Sequence, residues 1–317
     1  MFAFTSMVVS TTAWPDGKRF AFTVFDDPDA QTLESGRPVY DLLRALGFRT
    51  TKAVWPIRGG GRPTDRGQTC AETEYRKWAE ELQADGFEIA YHNATNHSSP
   101  RDETIRGLET FKQYFGRYPA SMANHMENDE AIYHGDRRLS GLRRAIYNTM
   151  TRGQNRNRFK GHIEGDPYFW GDLCRNYITY VRNFVFDEID TLSACPYLPY
   201  HDPRRPWVNY WFACSEGSQY PAFARMVGEA SQDRLEENGG ACIMYTHFGH
   251  GYLDNGRLRP RFIQLMERLA RKDGWFVPVA TLLDHLRTRR PDPRITNRQR
   301  AELEWRWLRH KLRRGTS

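Results

Sequence analysis

Short apolar runs alternate along the chain with longer segments in which apolar residues recur every three to four positions. "RFAFTVF" (19–25) reads as a strand, and the segment near 36–46 that follows places Val39, Leu42, Leu43 and Leu46 at helical spacing. The alternation continues with strand 51–57 ("TKAVWPI"), helix 71–86, strand 87–92 ("FEIAYH"), helix 102–116 and strand 120–124 ("ASMAN"). Beyond a loop-rich middle it resumes with strands 180–186 and 207–214, a helix near 222–237, strand 241–246 ("ACIMYT"), helix 260–272, strand 275–279 and helix 281–287. Strands that alternate with helices predict a parallel sheet with helices outside it, either closed as a barrel or open and doubly wound. At 317 residues one core is sufficient. The pattern predicts a catalytic α/β domain over 1–290 and a helical tail over 291–317.

The middle segment, 147–206, is rich in Arg, Asn, Gly, Pro and aromatic residues. It reads either as ordinary connections or as a substrate platform, with ring faces to stack on sugars and polar groups to bind hydroxyls. Charge changes the picture only locally. The chain carries a net charge of +7, yet residues 287–314 hold eleven Lys/Arg against Asp292, Glu302 and Glu304, a net of +8, so the catalytic domain is nearly balanced. A basic chain therefore does not imply a nucleic-acid partner here. Five dispersed cysteines without a CxxC pair fit neither a disulfide framework nor a thiolate zinc site. With no leader pattern or membrane-length apolar run, the expected location is the cytoplasm. In 301–314, Ala301, Trp305, Leu308 and Leu312 fall on one helical stripe, which suits docking on the chain's own domain or peripheral contact with an anionic membrane.

Candidate chemistry gathers where strands end. "AFTVF" runs into Asp26-Asp27, "FEIAY" into His92, "ASMA" into Asn124-His125 and "ACIMYT" into His247. Parallel strands bring their carboxyl ends to one face, where ligands bind. His92 and His97 share one short loop, five residues apart, a spacing that excludes a shared helix face and demands a turn. An Asp/His/His set suits Zn²⁺ or a similar divalent ion with positions left open for water and substrate.

"FTVFDD", "GFEIAYHNATNH" and "THFG", in that order across roughly residues 19–286, resemble the polysaccharide deacetylases, the NodB-homology carbohydrate esterases of family four. A weaker likeness is to the WbmS-like deacetylases associated with surface-polysaccharide gene sets. The resemblance implies an irregular (β/α) barrel of about seven strands and metal-dependent removal of N- or O-acetyl groups from a sugar, here in surface-polysaccharide assembly. Carried over residue by residue, it implies Asp26 as catalytic base, Asp27, His92 and His97 as ligands of a divalent metal, zinc foremost, and His247 as general acid. Asn124, His125, Arg182 and Trp211 form the expected substrate-binding set. The family's third motif, an arginine with prolines, reads "PASMANHMEND" here. Arg182 could orient the base in its place, and His125 or His250 could supply the third ligand in place of His97. Two other readings remain: a catalytically silent carbohydrate-binding barrel, and an amidohydrolase acting on a non-sugar amide.

Overall fold

A computed structural model describes residues 14–315. Its centre is a closed barrel of seven parallel strands: β1 (Phe20–Asp26), β2 (Thr51–Val54), β3 (Glu88–Tyr91), β4 (Ser121–Met122), β5 (Tyr180–Phe186), β6 (Tyr210–Glu216) and β7 (Ala241–Thr246). Each strand pairs with the next in parallel, and β1 closes on β7 through six register pairs, Ala21 with Ala241 to Asp26 with Thr246. All seven residues of β1 are buried, as expected of a parallel strand covered on both faces. A small antiparallel pair, β8 (Leu253–Asp254) and β9 (Arg257–Leu258), follows the barrel. The last strand, β10 (Gly274–Trp275), pairs with the start of β1, whereas β2 pairs only with its end. The barrel is therefore irregular, with two short strands sharing one flank of β1.

The outer helices form where apolar periodicity and end signals coincide. Helix Leu33–Ala45 opens with a reciprocal capping box between Thr32 and Ser35 and buries Val39, Tyr40 and Leu43. Helix Arg101–Phe115 stops at Gly116, whose φ of +74° is the left-handed conformation glycine takes without steric cost. The single helix expected near 222–237 is two, Tyr220–Met226 and Glu229–Asn238, separated at Val227-Gly228. The middle segment also differs from a run of loops. It includes the end of helix Gly141–Met150 and helices Gly171–Tyr177 and Thr191–Ala194, and its Trp170 and Tyr200, with Trp211 just beyond, are core residues no more than 1% exposed.

Helix Asn297–Arg314 docks on the barrel's flank. Its buried face is Arg300, Leu303, Glu304, Trp307 and Leu308, while Leu312 is 60% exposed. This corrects the expected stripe, which leaves out Leu303 and Trp307. The buried face carries two charged residues, so a search for apolar periodicity locates its centre wrongly. Arg300 pairs with Asp202, and Glu304 accepts from Ser140, Arg143 and Arg205. Trp307 sits between Tyr147 and Phe184. Among the described residues no helix is long and apolar enough to cross a membrane.

Candidate metal and catalytic site

Strand alternation decides which residues meet at the carboxyl ends of the strands. Asp26 and Asp27 project to opposite sides of β1. Asp26 points outward and is fully buried: Oδ2 accepts from Gln31 Nε2 and Tyr40 Oη, both at 2.9 Å, and Oδ1 accepts from the Phe248 amide at 2.8 Å. The ammonium of Lys52, also fully buried, lies 3.6 Å away. Burial raises the Asp26 carboxyl's pKa, an effect that Lys52 and the three hydrogen bonds only partly offset. So enclosed, it has no access to a water molecule inside the barrel mouth.

Asp27 faces the opposite way and meets Arg182 of β5 in a two-point pair, Nη1 to Oδ1 at 2.9 Å and Nη2 to Oδ2 at 2.5 Å. Arg182 also lies over the rings of Phe25 and Tyr245, at 5.3 and 4.2 Å. A guanidinium therefore does orient a carboxylate here, and it comes from β5.

Two residues on, past Pro28, Asp29 stands at the centre of three histidines. Its carboxylate oxygens lie 3.3 Å from His92 Nε2, 3.7 Å from His125 Nε2 and 3.5 Å from His247 Nε2. Burial alone would raise its pKa, but the hydrogen bonds and charge of His247 and His92 hold it well below the ordinary carboxylate range. Asp29, His92 and His125 each offer a ligand atom within 4.8 Å of the others, the one such group among the described residues. His92 Nδ1 is buried without a hydrogen-bond partner. An acid and two imidazoles, one of them with a buried ring nitrogen left unsatisfied, fit a divalent ion.

The hydrogen bonds behind the cluster set the histidine tautomers. Asn128 gives both protons of its amide nitrogen away, to Thr95 O at 3.0 Å and Glu130 Oε1 at 2.7 Å, so its oxygen faces His125 Nδ1 at 2.9 Å. Nδ1 must then carry the proton, which leaves the Nε2 lone pair toward Asp29. Glu130 is fully buried, and burial pushes its pKa up to about 8. His247 is fixed likewise: Nδ1 donates to Ser218 O at 2.6 Å, and Nε2 lies 3.2 Å from Tyr245 Oη. Burial opposes its charge, but Asp29 and Asp27 prevail and raise its pKa to about 9, so at neutral pH both ring nitrogens carry protons.

The turn after His92 is now explicable. Asn93 adopts a left-handed φ of +61°, which asparagine tolerates, and its Oδ1 accepts the His125 amide at 2.8 Å. That bond ties the ends of β3 and β4 together, while Trp55, just past β2, packs against both rings at 5.9 and 5.4 Å. His97 is turned elsewhere. Its Nε2 lies 3.0 Å from Glu103 and 3.1 Å from the Gly61 amide, so it braces the 58–61 loop outside the ligand group. Gly61 is required there, since a Cβ would come within 2.4 Å of the imidazole.

Of the expected residues, the structure brings together Asp27, His92, His125, Arg182 and His247. Asn124 instead clamps its own loop through both backbone groups of Ile132, at 2.8 and 3.1 Å. Trp211 is 1% exposed and alternates with Phe212, whose ring meets Phe25 inside the barrel, so the indole faces outward, away from any substrate. Asp29, Asn128, Glu130 and Trp55 are the participants the sequence reading passes over. The available signal was the D-x-D spacing of Asp27 and Asp29. Beside the cluster, an open pocket of about 700 Å³ is lined by Ala30, Thr64, Asp65, Arg66 and His250.

Neither a family model nor a curated protein matches the sequence. Solved structures do. One, from Mycobacterium smegmatis and assigned to the polysaccharide deacetylases, is 14% identical over 90% of this chain and 96% of its own, with a TM-score of 0.50. PuuE allantoinase is 13% identical over 88% and 93%, also with a TM-score of 0.50. Identities this low carry the architecture alone, and the architecture is clear: the chain has the irregular (β/α)-barrel fold of the polysaccharide deacetylases.

Proposed function

We propose that this chain is a metal-dependent deacetylase that hydrolyses an acetyl group, N-linked in preference to O-linked, on a sugar. The observation that carries the reading is the convergence of Asp29, His92 and His125 beside the Asp27–Arg182 pair and His247. The roles shift from those read in sequence. Asp29, His92 and His125 hold the ion, in place of Asp27, His92 and His97. Asp27 becomes the base, in place of the outward-facing Asp26.

A divalent ion, when bound, would lower the pKa of water and polarise the acetyl carbonyl. The chain's own residues supply the proton transfers. Asp27, held by Arg182 in a fixed orientation, takes the proton from the attacking water. His247, anchored through its Nδ1 to Ser218 O, gives its Nε2 proton to the departing amine. A surface-polysaccharide substrate in the cytoplasm agrees with the sequence resemblance.

Elemental analysis of purified wild-type protein and of the Asp29→Ala, His92→Ala, His125→Ala and His97→Ala variants tests the site. The first three should lose the ion and the fourth keep it; retention in all four would remove the ligand set. Acetate release should be assayed on N-acetylated sugars, with a cyclic non-sugar amide as comparison. Turnover of the amide alone would move the reaction to a different amidohydrolase class.

A further inference from the structure

Between β4 and β5 the chain builds a second polar pocket, of about 820 Å³, from the 137–157 segment. Four arginines line it, Arg137, Arg144, Arg152 and Arg156, and no acidic residue does. Asp136 is fully buried behind it and engages Arg144 at 2.7 Å. Arg137 and Arg144 share one acceptor, Asn157 Oδ1, at 2.9 and 3.0 Å, which brings two guanidinium groups together over a single amide oxygen. Arg137 Nε is buried with no partner. Arg152 and Arg156 are exposed, and Arg152 is held at a left-handed φ of +51° in the turn after helix Gly141–Met150.

Crowded like charges are unfavourable unless something neutralises them. Burial and then the charge of Arg144 lower the pKa of Arg137, and burial with Arg137 and Arg205 pushes His162 down to about 3. Arg137 and Arg144 also border a smaller cavity of about 230 Å³, so the basic wall is reached from two sides. Guanidinium forks match tetrahedral oxyanions bidentately. The larger pocket has room for more than one such group, and its lining offers no aromatic ring to stack a base.

We propose that this pocket is a phosphoryl-binding site, with Arg137 and Arg144 as its floor and Arg152 and Arg156 as its rim. The site is independent of the deacetylase reading. It recognises the phosphoryl group itself, whether on a soluble molecule or on a lipid headgroup.

Calorimetric titration of the full chain with pyrophosphate and with inorganic phosphate, at fixed ionic strength, tests it. Saturable pyrophosphate binding is expected, weakened at least tenfold in the Arg152→Ala/Arg156→Ala variant. It should be unchanged in Arg234→Ala/Arg271→Ala, which removes equal charge elsewhere. Circular dichroism of both variants should match the wild type, since all four residues are exposed. Sedimentation with phosphatidylglycerol vesicles separates the sources. Pelleting that depends on Arg152 and Arg156, without binding of either soluble probe, supports the site and assigns its phosphoryl group to a lipid. No saturable binding of any probe, or equal weakening in the two double variants, would overturn the proposal.

Discussion

A lysine ammonium buried against a buried carboxylate, as Lys52 lies against Asp26, is tolerable only while both partners are present. Asp26→Ala should therefore cost about 3–5 kcal/mol in chemical denaturation, because the remaining charge has no solvent to turn to. Asp27→Asn should lower kcat by about 10²–10⁴-fold while metal content stays close to wild type, and it should also lower the melting temperature, because the buried Arg182 guanidinium loses its carboxylate partner. Glu130 gives a pH test. Its folded pKa of about 8 lies above the ordinary carboxyl value of 4.5, so between these limits the folded state binds more protons than the unfolded one. Stability should accordingly fall as pH rises from 4.5 to 8, by at most about 1.4 kcal/mol per unit, and Glu130→Gln should flatten that slope in denaturation midpoints taken across the range. The adjacent acids, the strand-end histidines and Arg182 were legible in the sequence. Which acid faces inward was not, because neighbouring strand residues exchange faces with a one-residue change of register. Asp29 was hidden for a related reason: an Asp after Pro looks like a helix cap until its neighbours are known.

At the scale of elements, β5 and β7 match their sequence-read limits; in β7 an apolar run flanked by polar residues marks the buried strand, whereas β5 carries Arg182 and Asn183 within its apolar frame. β4 shrinks to two residues and β10 to two, since Pro278 begins the following helix and Asn124 leaves the ladder to clamp a loop. Helix Asn297–Arg314 was found, but its face was misplaced, because tertiary ion pairs at Arg300 and Glu304 bury charge that pattern reading assigns to solvent. Trp307→Ala should cost about 3–5 kcal/mol, as expected for truncating a fully packed indole, and thermal unfolding would measure it. Leu312→Ala, on the exposed side of the same helix, should be nearly neutral.

For the molecule as a whole, the two histidines of the ligand group stand just past the ends of neighbouring strands, β3 and β4, and the seam between those strands is the slightest in the barrel wall. β3 and β4 share one register pair, Tyr91 with Met122, against six between β1 and β7. Beyond that pair the seam holds by the Ala123 amide on Tyr91 O, at 3.1 Å, and by Asn93 on the His125 amide. An ion shared by His92 and His125 would thus bridge the wall where it opens most easily. Its removal should then be felt as breathing. In hydrogen exchange followed by mass spectrometry, a chelator should speed amide exchange at Ala123 and His125 at least tenfold while β1 keeps its protection. Unchanged exchange at the seam would mean that the wall stands without help. The centre read here as chemical would on this view also be mechanical, a rivet whose absence loosens one stave of the barrel before any substrate arrives.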